Sequence, residues 1–134
     1  MHPNPAIPSP QPTPDTVPFW QAAAQGRLLL RRCGDCGRPH YYPRPNCPFC
    51  GGATDWMESA ARGQVHAYSA MPRATPPYVI CYVMLDEGVA MMSNIVRCAP
   101  ERVHVGMRVH AVFEPSADGT PVPMFAPDSD GEQP

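Results

Sequence analysis

The sequence predicts a mainly β protein made of a short N-terminal helix, a metal-binding ribbon and a small barrel of five strands. Three observations carry this prediction. Two CxxC pairs lie close together in the first half of the chain. Five short segments rich in alternating or continuous apolar residues follow between residues 62 and 127, which is typical of strands. Alanines and two aromatic residues precede the cysteines and favour a helix.

The chain begins with a proline-rich arm. Residues 1–18 alternate proline with small polar residues and offer little apolar surface. Because proline fixes φ and removes a backbone donor, we expect this arm to be disordered or extended. Residues 128–134 form a polar, acidic tail, for which we also expect disorder.

Residues 19–30, FWQAAAQGRLLL, are predicted to form a helix and an extended lead-in segment. The alanines favour the helix, and Gly26 is placed to end it. Phe19 and Trp20 are its apolar anchors. They either pack the helix onto the following module, which is the simpler interpretation, or form a docking surface for another protein.

Residues 31–61 are predicted to be a zinc ribbon. The segment has the spacing C-x2-C-x10-C-x2-C, and each pair precedes or includes glycine residues that permit a tight turn. Two such turns facing each other supply four sulfurs at tetrahedral corners. The predicted ligands of a structural Zn²⁺ are therefore the four cysteines of these pairs: Cys33, Cys36, Cys47 and Cys50.

Other chemistries for these cysteines are less well supported. A redox CxxC needs a thioredoxin-like βαβ context, which the sequence does not indicate. A catalytic zinc needs an open ligand position, and four protein thiolates leave none. An iron site of rubredoxin type would use the same four thiolates, so the choice between zinc and iron stays open. His40 lies between the pairs and is interpreted as a surface or packing residue.

Residues 62–127 are predicted to form a barrel of the OB type. Five short strands occur here, with a break at CAPERV between the third and the fourth that suits a single helical turn. This order matches a five-stranded Greek-key barrel, although a sandwich fits the pattern nearly as well. Cys81 is expected to be a small buried apolar residue. Asp86 and Glu87 are interpreted as a solvated hairpin tip.

Charge is distributed unevenly along a chain whose formal net charge is −2. Residues 26–62 have a balance of +3, and residues 63–134 have a balance of −4. The basic residues of the first segment are Arg27, Arg31, Arg32, Arg38, Arg44 and Arg62. They can offset the formal −2 charge of zinc with four thiolates. The absence of a secretory signal and of an apolar run of membrane-spanning length favours the reducing cytoplasm.

The sequence contains no recognisable catalytic set. It has no GxSxG, HExxH, P-loop or GxGxxG motif. The three histidines of the barrel half lie at positions that are expected to face outward: His66, His104 and His110. No catalytic residue is assigned, and the residues that would bind a cofactor are unknown from the sequence. The residues alone therefore indicate a binding or accessory module.

The complete pattern resembles a family in which a rubredoxin-like zinc ribbon is joined to an OB-fold. The resemblance covers about residues 17–127 and lies in LLLRRCGDCGRPHYYPRPNCPFCGG, GQVHAYSA, PPYVICYVMLDEG, MMSNIVRC, VGMRV and PMFAP. It implies an accessory subunit that assembles with a thiolase-like, acyl-CoA-condensing or retro-aldol enzyme. In such a hetero-oligomer the partner would carry the catalytic groups, and the ribbon–OB chain would help to bind the acyl-CoA.

Two functional hypotheses follow. In the first, the arginines of the ribbon and the Phe19–Trp20 helix contact a thiolase-like partner near its CoA entrance. In the second, the chain is a single-stranded nucleic-acid-binding module, because zinc ribbons and OB-folds both occur in such proteins. The acidic barrel half speaks against the second. A free-standing acyl-CoA carrier is a third and weaker interpretation.

Overall fold

The computed structural model describes residues 7–128. It has one short helix, a three-stranded sheet and a five-stranded closed barrel. The elements are α1 (Val17–Ala23), β1 (Leu29–Cys33), β2 (Pro39–His40), β3 (Thr54–Glu58), β4 (Arg62–Met71), β5 (Tyr78–Leu85), β6 (Ala90–Ile95), η1 (Pro100–Arg102), β7 (Arg108–Pro115) and β8 (Pro121–Pro127). No helix of the described part is long and apolar enough to span a bilayer.

The small sheet carries the cysteine ribbon. Its strand order is β2-β1-β3, with antiparallel pairing throughout. The two knuckles extend from the same end of this sheet, because Cys33 is the last residue of β1 and pairs with Thr54, the first residue of β3. The sheet therefore places the first CxxC pair beside β3, the strand that follows the second CxxC pair.

The five C-terminal strands close into a barrel in the order β4-β5-β6-β8-β7. Closure depends on a parallel contact between β6 and β8, in which Ile95 pairs with Phe125. The single helical turn η1 lies between the third and fourth barrel strands, where the sequence predicted it. The OB-fold prediction is thus confirmed, and the open sandwich is excluded.

The barrel core includes residues from outside the barrel. Phe19 from α1, Leu28 from the loop that follows it and Leu30 from β1 are at most 2% exposed and belong to the same apolar cluster as the barrel residues. Val65 and Phe125 are among those barrel residues. The helix and the first ribbon strand therefore share the core of the barrel instead of forming a core of their own.

The helix begins two residues before the expected start. A turn precedes it, in which the Val17 N–H donates to the Thr13 carbonyl at 2.9 Å and the Thr13 N–H donates to the Thr16 hydroxyl at 2.8 Å. Pro18 fits the first helical turn, where no N–H is required. Gly26 adopts a φ of 75° and reverses the chain after the helix, as expected.

The described part of the proline-rich arm, residues 7–18, has contacts with the barrel. The Ile7 carbonyl accepts a hydrogen bond from the Ala117 N–H, and the Ser9 hydroxyl accepts one from the Asp118 N–H, both at 2.9 Å. Residues 7–9 therefore lie along the β7–β8 turn. The expected disorder of residues 1–6 and 129–134 lies outside the described residues.

Candidate metal centre

The four ribbon cysteines meet at one point. Their four sulfur atoms all lie within 4.8 Å of one another, with Cys33 and Cys47 buried and the other two exposed. The Sγ–Sγ distance is 3.5 Å between Cys33 and Cys50, and 3.7 Å between Cys36 and Cys47. Among residues 7–128 this is the one group of three or more potential metal ligands with such geometry.

These distances fit a tetrahedral zinc ion. With Zn–S bonds of about 2.3 Å, the edge of a regular ZnS₄ tetrahedron measures about 3.8 Å. The two short sulfur distances each join one knuckle to the other, which is the arrangement that a single shared ion requires. The donor set is also suitable, because four thiolates form a closed structural site without a position for water.

Backbone donors support the negative charge on the sulfurs. The N–H groups of Asp35 and Cys36 donate to Cys33 Sγ at 3.3 Å, and the Phe49 N–H donates to Cys47 Sγ at the same distance. The bond from Cys36 is the main reason why the pKa of Cys33 is lowered to about 7. These backbone hydrogen bonds favour the thiolate form, which a metal needs, at Cys33 and Cys47.

Gly52 allows the second knuckle to approach the first. A Cβ at this position would lie 3.1 Å from Cys33 Sγ and would collide with the Asp35 carboxylate. The Gly52 carbonyl accepts the Cys47 N–H at 2.7 Å, and so the same residue closes the turn. A glycine here follows from space and not from backbone conformation alone.

His40 is buried in the ribbon, with 7% of its surface exposed. Neither ring nitrogen has a hydrogen bond of good geometry among the described residues, although the Arg44 backbone lies close enough to favour the protonated ring weakly. The pKa of His40 is lowered, first by burial and then by the charges of Arg31 and Arg44. Of the two roles considered for it, the packing role is the observed one.

We expect His40 to make the protein less stable in mild acid. The unfolded chain takes up a proton at this histidine near pH 6.5, whereas the folded chain resists it until lower pH. The free energy of unfolding should therefore fall as the pH drops below about 6.5. Urea unfolding at a series of pH values, with zinc content measured in each sample, checks this.

The His40→Leu variant is the control for this effect. Protonation of the cysteines affects both proteins equally, so the difference between their pH profiles isolates the histidine. The variant should have a flatter profile below pH 6.5. Parallel profiles for the two proteins would contradict the assignment.

Most of the ribbon arginines contact another group of the chain: Arg32 donates to the Gly37 carbonyl at 3.2 Å, and Arg62 lies 3.7 Å from the Asp128 carboxylate. Arg27 pairs with Glu58 at 3.0 Å, and Arg31 donates to the Thr54 hydroxyl at 2.9 Å while it lies over the Trp56 ring. Arg38 and Arg44 are exposed, as are the remaining two, Arg32 and Arg62. The Arg38 guanidinium lies 4.8 Å from the centre of the exposed Phe49 ring.

An apolar cavity lies between the helix, the ribbon and the barrel. It has a volume of about 340 Å³ and is lined by residues that include Trp20, Tyr41, Tyr78 and Met92. Burial raises the pKa of Tyr41 to about 12, so its phenol stays neutral. Met92 is 57% exposed at the rim. This apolar surface was not predicted, because it combines residues from five separate segments.

The other candidate residues do not form an active site. His66 and His104 are exposed, as expected, whereas His110 is half-buried, and its Nδ1 lies 2.8 Å from the Asp128 carboxylate. Cys81 is 1% exposed, and burial raises its pKa to about 11. It is the buried apolar residue that the sequence predicted.

The two carboxylates of the β5–β6 turn are not simply solvated. Asp86 binds the Arg108 guanidinium through both oxygens, at 3.1 and 3.2 Å. Glu87 accepts hydrogen bonds from the Ser59 hydroxyl at 2.9 Å and from the Ala60 N–H at 2.8 Å. The turn is a hairpin tip, as expected, and Asp86 is exposed. The tip is not purely solvated, however, because both side chains bind neighbouring segments.

Two family profiles match the chain. The profile of the ChsH2 rubredoxin-like zinc ribbon domain matches residues 20–56, and that of the ChsH2 C-terminal OB-fold domain matches residues 56–114. Together they span most of the chain, and they meet inside β3. A rubredoxin-like zinc ribbon with four clustered cysteines fits a structural zinc ion.

Named relatives agree with these profiles. A probable enoyl-CoA hydratase alpha subunit from Thermomonospora curvata is 34% identical over 95% of this chain, which spans only 40% of that protein. A DUF35 domain-containing scaffold protein from Methanocaldococcus jannaschii is 38% identical over 64% of this chain and 67% of the relative. Among solved structures, a chain of the Ltp2-ChsH2(DUF35) aldolase has a TM-score of 0.76 and 33% identity, and the match covers 89% of this chain and 98% of that one.

Proposed function

We propose that this chain, which belongs to the ChsH2 family of rubredoxin-like zinc ribbons joined to an OB-fold, is a non-catalytic accessory subunit. Its partner would be a thiolase-like enzyme that condenses acyl-CoA substrates or cleaves them by a retro-aldol reaction. The observation that carries this proposal is the match along nearly the whole of one chain of the Ltp2-ChsH2(DUF35) aldolase.

We assign the structural zinc to four ligands in this chain: Cys33, Cys36, Cys47 and Cys50. When bound, the ion would link the two knuckles and supply no open position for substrate. The reacting groups of the assembly would then come from the partner. The scaffold name of the Methanocaldococcus relative supports this division of roles, whereas the Thermomonospora relative is named as a subunit of a hydratase.

The partner-facing surface would combine charge with apolar area. Phe19 cannot take part, because it is 2% exposed and packs into the barrel core. The original hypothesis of a Phe19–Trp20 docking pair therefore reduces to Trp20 beside the apolar cavity. Arg38 and Arg44 would add the positive charge that suits an enzyme surface near the phosphates of CoA.

We expect the double variant Arg38→Glu and Arg44→Glu to weaken assembly with the partner by roughly tenfold or more, since two charges are reversed at the interface. Its fold should be unaffected, because both side chains are exposed. Titration of the purified partner, with acyl-CoA affinity measured in the complex, checks this. The control is Arg73→Glu together with Arg102→Glu, two exposed arginines of the barrel half.

Equal partner affinity and equal acyl-CoA affinity in the two double variants would remove the ribbon arginines from the proposal. A loss confined to acyl-CoA affinity would keep them near the CoA and away from the protein contact. The Trp20→Ala variant separates the apolar contribution, since its indole lines the cavity.

The experiment that tests the function itself is affinity purification of the tagged chain from its native cells. Near-equal recovery of a thiolase-like or hydratase-like enzyme would support the accessory role and would identify the partner. Recovery of nucleic acid, or of no stoichiometric protein, would contradict it. A tagged Cys47→Ser chain is the matched control, because its ribbon should not fold.

The nucleic-acid alternative has less support. Tyr78 and Tyr82 on β5 are exposed and could stack on bases. Neither β5, Tyr78–Leu85, nor β6, Ala90–Ile95, contains a lysine or an arginine. Single-strand grooves combine aromatic residues with positive charge, and this face of the barrel provides only the former.

A further inference from the structure

The connection between the ribbon and the barrel is the segment of residues 59–61. It leaves β3 at Glu58 and enters β4 at Arg62. Ala61 adopts a φ of 60°, a left-handed conformation that an alanine rarely takes. A short, sharply bent connection of this kind needs contacts that hold its direction.

Every backbone donor of this connection is bound. The Ser59 N–H donates to the Leu28 carbonyl at 2.9 Å, which ties the segment to the ribbon side. The Ala60 N–H donates to Glu87 Oε2 at 2.8 Å, and the Ala61 N–H donates to the Ser59 hydroxyl oxygen at 2.9 Å. The same hydroxyl donates to Glu87 Oε1 at 2.9 Å. Both carboxylate oxygens of Glu87 thus bind the connection.

Glu87 is itself held in place by its own turn. The Gly88 N–H donates to the Leu85 carbonyl and the Leu85 N–H to the Val89 carbonyl, both at 2.8 Å. The neighbouring Asp86 binds Arg108 at the start of β7, and its N–H donates to the Arg62 carbonyl. The carboxylate therefore belongs to a fixed part of the barrel and reaches out to the connection.

We propose that Glu87 is a positioning residue that fixes the direction of residues 59–61 and thereby sets the angle between the ribbon and the barrel. The apolar contacts of Phe19, Leu28 and Leu30 hold the two parts together, but apolar burial is not directional. Two hydrogen bonds to one charged group are directional. This role of Glu87 is a property of the isolated chain and does not depend on the proposed partner.

The test compares the zinc-loaded full chain with its Glu87→Ala variant by nuclear magnetic resonance. Residual dipolar couplings report the orientation of the ribbon and of the barrel separately. One alignment tensor should fit both parts of the wild-type chain, whereas Glu87→Ala should need two. The Ala60 amide should also exchange with solvent roughly tenfold faster or more, because it loses a bond to a charged acceptor.

Three further variants make the outcome specific. Glu58→Ala removes a carboxylate from the adjacent strand, where it pairs with Arg27 at the surface, and should behave as wild type. Glu87→Gln keeps one oxygen that can accept the Ala60 N–H and should give an intermediate result. Ser59→Ala removes the hydroxyl and leaves Glu87 intact, and it too should loosen the angle.

A single common tensor in Glu87→Ala, equal to that of the wild type, would overturn the proposal and would assign the angle to apolar packing. If Glu87→Ala does not fold, the same measurement on Ser59→Ala and Glu87→Gln replaces it. The proposal would be overturned if a single wild-type tensor fitted the ribbon and the barrel in each of these two variants. Equal zinc content in the compared proteins shows that the ribbon itself is intact.

Discussion

Replacing Cys36 or Cys47 by serine is expected to abolish zinc binding and to unfold the ribbon. A hydroxyl is a poor ligand for zinc at neutral pH, and three thiolates leave the ion with an open position. Metal binding in structural zinc sites contributes on the order of 10–16 kcal/mol. The sheet β2-β1-β3 has few buried residues of its own with which to compensate.

Elemental analysis of the purified variants and circular dichroism during heating check this prediction. Both variants should purify without zinc and should lose the thermal transition of the ribbon. Cys98→Ser is the matched control, since it is the same substitution at a cysteine outside the cluster. A metal-free Cys47→Ser protein with the wild-type melting profile would show that the ribbon does not depend on its metal.

Replacing Phe19 by alanine is expected to destabilise the barrel as well as the helix, by about 3–5 kcal/mol. The ring is 2% exposed and belongs to the cluster that fills the barrel. It also packs edge to face on Trp20, with ring centres 4.9 Å apart. Urea unfolding followed by barrel amide signals measures the loss.

The adjacent Trp20→Ala variant is the comparison for this result. Its ring is only partly buried at the cavity rim, so its cost in the free energy of unfolding should be clearly smaller. Equal losses for the two variants would mean that the helix anchors itself through both rings alike. A stable Phe19→Ala protein would remove α1 from the barrel core.

The local patterns in the sequence predicted the larger part of the fold. Alternation along β4 and the apolar run of β5 identified strands, because side chains point to opposite faces at every second residue. The two CxxC pairs predicted which four sulfurs the structure brings together, because their spacing is that of a zinc ribbon. Gly26 also ended the helix region as its backbone freedom predicted.

The features that escaped prediction depend on residues far apart in the chain. Glu87 and Ser59 are separated by 28 positions, and no local pattern shows that a turn carboxylate will reach a connection. For His40 the sequence left a surface and a packing role open, and only the structure shows that the residue is 7% exposed. Phe19 was correctly interpreted as a packing residue, but the sequence did not show that its ring would enter the barrel.

The shared apolar cluster makes the amount of this protein in the cell depend on the supply of zinc. Leu30 belongs both to the ribbon sheet and to the core of the barrel, so a ribbon that loses its ion would withdraw part of the barrel's cover. Proteases and chaperones would then bind the apolar surface that has become exposed. Under metal starvation the amount of this chain should decline together with its metal, and any assembly that requires it would decline in proportion.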